Sequence, residues 1–311
     1  MEPVDLKFDL DASARQYRDN LIERLEKDPN VQSFLTKHKL DKSVLEKNSS
    51  LFGRWQKQGR TCKDCKGLNY CTSRIRGVRT DLEVDSQGFV SEVYVPCKFK
   101  KVQDSQMAHR ANFTVSHMQG KDYLLSFDLL SRTLDKESRE YLLAYSQAVS
   151  SVNTESGCLF YGQPGTGKST LLMTLANEHA KQGRKVAYVR VPLLISELKE
   201  NLNDDEYRRL TLSRLRYADV LFLDDFGSEA ATPWTRDEIL FPILDERMNN
   251  KRKTYFASNI AFQELETRYL IDRSVASSVA AKRFMDRVRT LARPIELRGN
   301  SRRKAPAFNQ N

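Results

Sequence analysis

The stretch Gly162-Gln-Pro-Gly-Thr-Gly-Lys-Ser169 determines how this chain of 311 residues is interpreted. It matches the phosphate-loop pattern G-x-x-x-x-G-K-[ST] at every fixed position. Glycines let the backbone curl so that its N–H groups point at a polyphosphate, while the lysine reaches the phosphates and the serine reaches Mg²⁺. An apolar strand is predicted at residues 157–161 and a helix at 170–179. This order places the phosphates at a helix N-terminus, a context that a chance glycine-rich turn would lack.

An acidic pair, Asp224-Asp225, follows a second apolar strand at residues 218–223. Mg²⁺ needs carboxylate ligands at the carboxyl end of a buried strand beside a phosphate loop. We assign Asp224 to the metal ion, through water, and Asp225 to polarising the attacking water; a solvated acidic turn is the alternative. The residues predicted to bind the nucleotide and its metal ion are Gly162, Gln163, Pro164, Gly165, Thr166, Gly167, Lys168, Ser169, Thr170 and Asp224.

Strand and helix patterns alternate through the rest of this half of the chain. Helices are predicted at residues 135–149, 193–201, 204–217 and 239–250, and strands at 185–191 and 253–258. Such alternation implies a parallel sheet covered by helices on both faces. The sequence therefore predicts an α/β fold.

Two polar features complete the predicted catalytic set. Asn259 follows the strand 253–258, where its amide would orient the attacking water or sense the γ-phosphate. The alternative is that Asn259 is a helix N-cap, and the residue could serve both as a cap and in the site. Arg283 and Arg287 lie four residues apart on a predicted helix, where like charges cost roughly 0.2–0.5 kcal/mol unless an anion is near. A neighbouring subunit's nucleotide would supply that anion and make this helix an arginine finger, whereas a local pair with Asp286 is the alternative.

The first hundred residues carry a different pattern. Three helices are predicted at residues 12–27, 31–40 and 43–56, followed by Cys62, Cys65, Cys71 and Cys97. A predicted β-hairpin between the last two cysteines would return Cys97 to the other three. Four thiolates in a reducing compartment suggest a tetrahedral structural Zn²⁺ site, with disulfides or scattered free thiols as the alternatives.

Composition limits the class of protein. An apolar fraction of 40% and a charged fraction of 30% suit soluble domains, and no apolar run approaches the roughly 20 residues that span a bilayer. The first residues lack a secretory pattern, so we expect a cytoplasmic location and no membrane partner. A net charge of +10 favours polyanionic partners. We predict an N-terminal domain at residues 1–100, a linker at 101–121 and a second domain at 122–311.

The order of phosphate loop, acidic pair, Asn259 and arginine-bearing helix resembles the AAA+ ATPases. Too few residues follow Asn259 for a full helical lid, as in the helicase loaders of the bacterial primosome and the transposition helper ATPases. The first hundred residues add helices, the spacing C-x₂-C-x₅-C, a hairpin and a single cysteine. This module before a lidless core closely resembles the DnaI-type primosomal loaders. The stretches Leu223-Asp-Asp-Phe-Gly-Ser-Glu229 and Trp234-Thr-Arg-Asp-Glu238 strengthen this resemblance.

The resemblance implies an ATPase that loads the replicative DNA helicase onto single-stranded DNA. The N-terminal module would dock on the helicase hexamer, and the AAA+ module would bind ATP and single-stranded DNA and self-associate. Asn259 would be the first sensor, Arg283 and Arg287 the finger region, and Arg302 a weaker candidate for a second sensor. Asp225 replaces the more usual glutamate, which suggests slow, partner-gated hydrolysis. The family can use a histidine ligand between the third and fourth cysteines; none stands there, which implies four cysteine ligands.

Three other functions remain as alternatives. A transposition helper would act on duplex DNA with a transposase and would not be expected to carry the zinc module. A small-molecule kinase would need an acceptor pocket and a mobile lid, for which the sequence offers no segment. A zinc-bearing adaptor that uses its nucleotide only as a structural switch would keep its function after Lys168→Ala.

Overall fold

The computed structural model describes residues 11–299 and 301. The chain divides into two compact units, Met1–Ser105 and Gln106–Asn311. Within the described ranges, no helix is both long and apolar enough to cross a membrane.

The first unit combines three helices with a β-hairpin. Its elements are α1 (Ala12–Glu26), α2 (Pro29–His38), α3 (Ser43–Lys63), β1 (Val78–Val84), β2 (Val90–Pro96) and α4 (Lys98–Gln106). Asp28 begins α2, because its carboxylate accepts the N–H of Asn30 at 2.9 Å. Leu25, Leu45 and Phe52 are fully buried between the helices. Helix α3 runs past its predicted end at residue 56 and carries Cys62 in its last turn.

The second unit is built on a six-stranded sheet in which every neighbouring pair is parallel, as predicted. Its strands are β3 (Phe113–Ser116), β4 (Gly157–Tyr161), β5 (Val186–Arg190), β6 (Val220–Asp224), β7 (Lys253–Ser258) and β8 (Ala292–Glu296). The spatial order is β3-β5-β6-β7-β4-β8. The carboxyl ends of β4, β6 and β7 therefore lie side by side at one edge of the sheet.

Helices cover both faces of this sheet. They are α5 (Phe127–Ser131), α6 (Arg139–Ser151), α7 (Lys168–Lys181), α8 (Val191–Glu200), α9 (Asp205–Tyr217), α10 (Phe241–Asn249), α11 (Phe262–Arg268) and α12 (Val275–Leu291). Strand side chains alternate between the two faces. Phe222 packs in the cluster that contains Leu172 of α7, whereas Leu223 packs in the cluster that contains Leu244 and Phe284 of α10 and α12.

The segment predicted as a linker, residues 101–121, is instead occupied by regular structure. Helix α4 ends within it, and β3 pairs with β5 through Phe113–Val186 and Ser116–Tyr188. The second unit accordingly begins at Gln106 rather than near residue 122. A four-residue edge strand flanked by polar residues is too short to produce a periodic signal in the sequence.

Candidate functional site

The phosphate loop joins β4 to α7 at the carboxyl edge of the sheet. Gly165 and Gly167 have φ angles of +89° and +96°, in the left-handed region that glycine adopts without steric cost. At Gly162 a Cβ atom would lie 2.6 Å from the carbonyl oxygen of Leu297. The curl of the loop therefore depends on glycine at these positions.

Lys168 is the first residue of α7, and its side chain lies inside the loop. Its Nζ donates hydrogen bonds to the carbonyl oxygens of Gly162 and Gln163, both at 2.8 Å. The side chain of Thr166 supports the same turn by donating to the Gln163 carbonyl at 3.0 Å. The ammonium group thus lies at a helix N-terminus, where backbone N–H groups favour an anion.

Asp224 and Ser169, predicted to share the metal ion, lie in contact across the edge of the sheet. Ser169 Oγ donates to Asp224 Oδ1 at 3.0 Å, and the backbone N–H of Asp225 donates to the same oxygen at 3.0 Å. The hydroxyl of Tyr188 donates to Asp224 Oδ2 at 2.7 Å. Burial raises the pKa of the Asp224 carboxyl, and the hydrogen bonds from Tyr188 and Ser169 oppose that rise. Hydroxyl and carboxylate oxygens are ligands that Mg²⁺ prefers, so this donor set fits the ion.

Asp225, the second acidic residue, has an unusual backbone conformation. Its φ of +54° is left-handed, a region in which aspartate and asparagine are tolerated better than longer side chains. The following turn is tied to β7, because Phe226 N–H donates to the Ala257 carbonyl at 2.8 Å and Ser258 Oγ donates to the Phe226 carbonyl at 2.7 Å. Arg190 approaches the Asp225 carboxylate at 3.6 Å. The Asp225 side chain therefore stands at the sheet edge, partly exposed.

Asn259 follows β7, the strand that lies between β6 and β4. The register pairs Tyr161 with Ser258 and Leu223 with Phe256, so Asn259 lies between the phosphate loop and the acidic pair. Helix α11 begins later, with Ala261 as its N-cap and no side-chain capping bond. Asn259 is therefore not the N-cap of α11.

Arg283 and Arg287 both lie on α12, and the guanidinium groups of both stack on the ring of Phe241, at 5.2 and 5.1 Å from its centroid. Arg287 also forms ion pairs with Asp245 at 3.0 Å and with Asp286 at 3.3 Å, and its side chain is mostly buried. Arg283 is exposed. The local pairing considered as an alternative thus applies to Arg287, whereas Arg283 presents its charge to solvent.

The four cysteines of the first unit, Cys62, Cys65, Cys71 and Cys97, line one cavity of about 300 Å³. Cys97 returns to this place because the hairpin brings its backbone N–H to the carbonyl of Gly77, at 2.8 Å. Burial is the main cause that raises the pKa of the Cys62 thiol, and the neighbouring thiols raise it further. The four cysteines therefore share one cavity, which is all that the structure shows of the predicted zinc site.

The individual thiols also contact the backbone. Cys71 Sγ accepts the N–H of Gly77 at 3.4 Å, which lowers the Cys71 pKa, and Cys65 Sγ donates to the Gly67 carbonyl at 3.6 Å. In the part of the chain that the structure describes, no group of three or more histidine, cysteine, aspartate or glutamate side chains is close enough to hold a metal ion. The residue types suit zinc, but the sulfur atoms do not form a closed ligand set.

Sequence reasoning missed two residues beside the acidic pair and a third that contacts one of them. Tyr188 contacts Asp224, Arg190 approaches Asp225, and His117 accepts the backbone N–H of Arg190 at Nδ1, at 3.1 Å. Burial lowers the His117 pKa. Tyr188 lies in the middle of β5 and Arg190 at its carboxyl end, next to β6, whereas His117 follows the carboxyl end of β3. Arg302, the weaker sensor candidate, lies outside the described residues.

A family profile and a known relative both match this chain. A profile of the family described as IstB-like ATP binding protein matches residues 100–308. The protein named replicative helicase loader DnaI, from Bacillus subtilis, is 28% identical over 292 residues, which cover 92% of this chain and 93% of that protein. The alignment with the loader is longer than the second unit, so it includes much of the first.

Two solved structures show a similar fold. The crystal structure of DnaI is 32% identical, with a TM-score of 0.53, and the match covers 60% of this chain and 98% of that one. A putative primosome component from Streptococcus pyogenes serotype M3 is 28% identical, with a TM-score of 0.51, and covers 64% of this chain and 99% of its own.

Proposed function

The chain belongs to the family of IstB-like ATP binding proteins, and we propose that it is an ATP-dependent loader of the replicative DNA helicase onto single-stranded DNA, acting in primosome assembly. The observation that carries the proposal is the similarity to a named replicative helicase loader over 92% of the chain. The family match begins at residue 100, so a transposition helper would share it. The similarity of the first unit to a loader favours loading.

The test is a loading assay with the replicative helicase of the same organism on circular single-stranded DNA. We expect stable transfer of the helicase to the circle only when this protein and ATP are both present. The net charge of +10 supports direct contact with the DNA strand, which should weaken as salt is raised. Binding to a transposase and to duplex DNA, without helicase transfer, would establish the helper function instead.

The geometry of the second unit supports a proposed role for each of its site residues. Backbone N–H groups of the loop and the Lys168 ammonium would bind the phosphates of ATP, and Ser169 and Asp224 would hold Mg²⁺. When bound, this ion offsets the charge of the phosphates during transfer. Asp225 would polarise the attacking water, and Asn259, located between the loop and the acidic pair, would orient it.

Arg283 is our candidate for the arginine finger, because it is exposed while Arg287 is held within its own chain by Asp245. We expect Arg283→Ala to reduce the hydrolysis rate of self-associated protein to that of dilute protein, with no more loss of stability than its contact with the Phe241 ring provides. Arg287→Ala should instead lower the free energy of unfolding by about 1 kcal/mol, as an ion pair is lost. Phosphate release over a range of protein concentrations measures the effect on hydrolysis, and thermal melts of both variants measure the effect on stability. Equal rates for Arg283→Ala and the unmodified protein at every concentration would remove the finger role.

The four cysteines of the first unit are proposed to hold a structural Zn²⁺ ion. Support comes from their shared cavity and from the thiolate ligands that zinc prefers. Binding would have to draw the four sulfur atoms closer together than the structure places them. Metal analysis of protein purified without chelator should give about one zinc per chain, and Cys97→Ser should lose it and destabilise the first unit. Cys158→Ser, in the buried strand β4, is the matched control and should keep its zinc. Zinc-free protein of full stability would show that the cysteines are ordinary thiols.

A further inference from the structure

Tyr188 of β5 is a buried phenol in direct contact with the acidic pair. Its side chain is 1% exposed, and its hydroxyl donates to Asp224 Oδ2 at 2.7 Å. The ring belongs to an aromatic row across three neighbouring strands, with centroids 6.3 Å from Tyr188 to Phe222 and 4.9 Å from Phe222 to Tyr255, both stacked. Packing on this row fixes the direction of the Tyr188 hydroxyl.

The two oxygens of Asp224 have different partners. Oδ1 accepts from Ser169 Oγ and from the backbone N–H of Asp225, whereas Oδ2 accepts from Tyr188. A carboxylate held at both oxygens cannot rotate about its last bond without breaking a hydrogen bond. The contact with Tyr188 therefore keeps Oδ1 directed at Ser169.

A phenylalanine would fill the same place in the aromatic row, so packing alone does not require the hydroxyl. Burying a hydroxyl is unfavourable unless it is hydrogen-bonded, and here its bond is made to the residue assigned to the metal ion. Mutation of a group that orients a metal ligand typically lowers metal affinity or activity by about 10- to 100-fold.

We propose that Tyr188 is a positioning residue for Mg²⁺, which acts by holding the Asp224 carboxylate so that its Oδ1 and the Ser169 hydroxyl face the ion together. This inference rests on the proposed nucleotide function. Tyr188 itself touches neither nucleotide nor metal in this role. The tyrosine therefore affects only the Mg²⁺ concentration that nucleotide binding requires.

The test is Tyr188→Phe, with binding of a fluorescent ATP analogue titrated against Mg²⁺. We expect the Mg²⁺ concentration for half-maximal binding to rise about tenfold, while the affinity measured in chelator remains unchanged. Tyr255→Phe is the matched control, because it removes a buried hydroxyl from the same aromatic row, where it donates to the Ser151 carbonyl at 3.0 Å. That control should leave the Mg²⁺ requirement unchanged.

A double-mutant cycle keeps the test decisive if Tyr188→Phe also lowers stability. Because the tyrosine acts through Asp224, adding Tyr188→Phe to Asp224→Asn should cause no further shift in the Mg²⁺ requirement. An unshifted Tyr188→Phe, an equal shift in Tyr255→Phe, or additive shifts in the double variant would each overturn the positioning role. Unmodified protein that binds no nucleotide at any Mg²⁺ concentration would overturn the proposed function as well, so the two failures are distinguishable.

Discussion

Replacement of Lys168 by alanine is expected to weaken ATP binding strongly and, with it, to prevent the transfer of helicase to single-stranded DNA at ordinary ATP concentrations. The ammonium group lies inside the phosphate loop, 2.8 Å from two of its carbonyl oxygens and 6% exposed. Removal of a buried charged partner costs about 2–5 kcal/mol in a complex. This range corresponds to a loss of affinity of about 30-fold to several thousand-fold.

Isothermal titration with ATP and Mg²⁺ measures the loss, and the loading assay gives the functional result. Lys181→Ala is the matched control, because Lys181 lies at the other end of α7 and pairs with Glu178 on the surface. It should bind and load as the unmodified protein does. If Lys168→Ala binds no ATP and still loads helicase, the chain is an adaptor that does not depend on the nucleotide.

Sequence alone predicted the parts of this site that depend on local chemistry. The phosphate loop, its flanking strand and helix, and the carboxylates after β6 each follow from residues that are neighbours along the chain. The resemblance to primosomal helicase loaders, based on the motif order and the cysteine module, is confirmed by the family match and by similarity over 92% of the chain.

The parts that sequence did not predict depend on which strands lie side by side. The sequence pattern of β5 showed only an alternating strand, so it did not reveal that Tyr188 and Arg190 would contact the acidic pair at the end of β6. The edge strand β3 has only four residues, and its sequence therefore predicts a linker rather than a strand. Likewise, the pairing of Arg287 with Asp245 joins α12 to α10, and helical spacing on α12 alone could not show it.

Asp225→Asn is expected to lower the rate of ATP hydrolysis by about 100-fold or more, the usual contribution of a positioned acid or base. ATP affinity should change little, because Lys168, Ser169 and Asp224 remain in place. Asparagine is the appropriate substitute, since it tolerates the left-handed φ of +54°. Phosphate release and ATP titration measure the two effects. Asp205→Asn, which removes an exposed carboxylate from the surface of α9, should change neither.

The same backbone angle offers a physical reason for aspartate at this position. Glutamate would reach one methylene further toward the attacking water, but a non-glycine residue in the left-handed region costs about 1–2 kcal/mol, and asparagine and aspartate reduce this cost by local hydrogen bonding. We therefore expect Asp225→Glu to raise the basal hydrolysis rate and to lower the midpoint of thermal unfolding. A faster rate in Asp225→Glu would show that the short reach of Asp225 limits basal hydrolysis. An unchanged rate in Asp225→Glu would exclude that cause, and an unchanged rate in Asp225→Asn would show that the carboxylate belongs to a solvated turn.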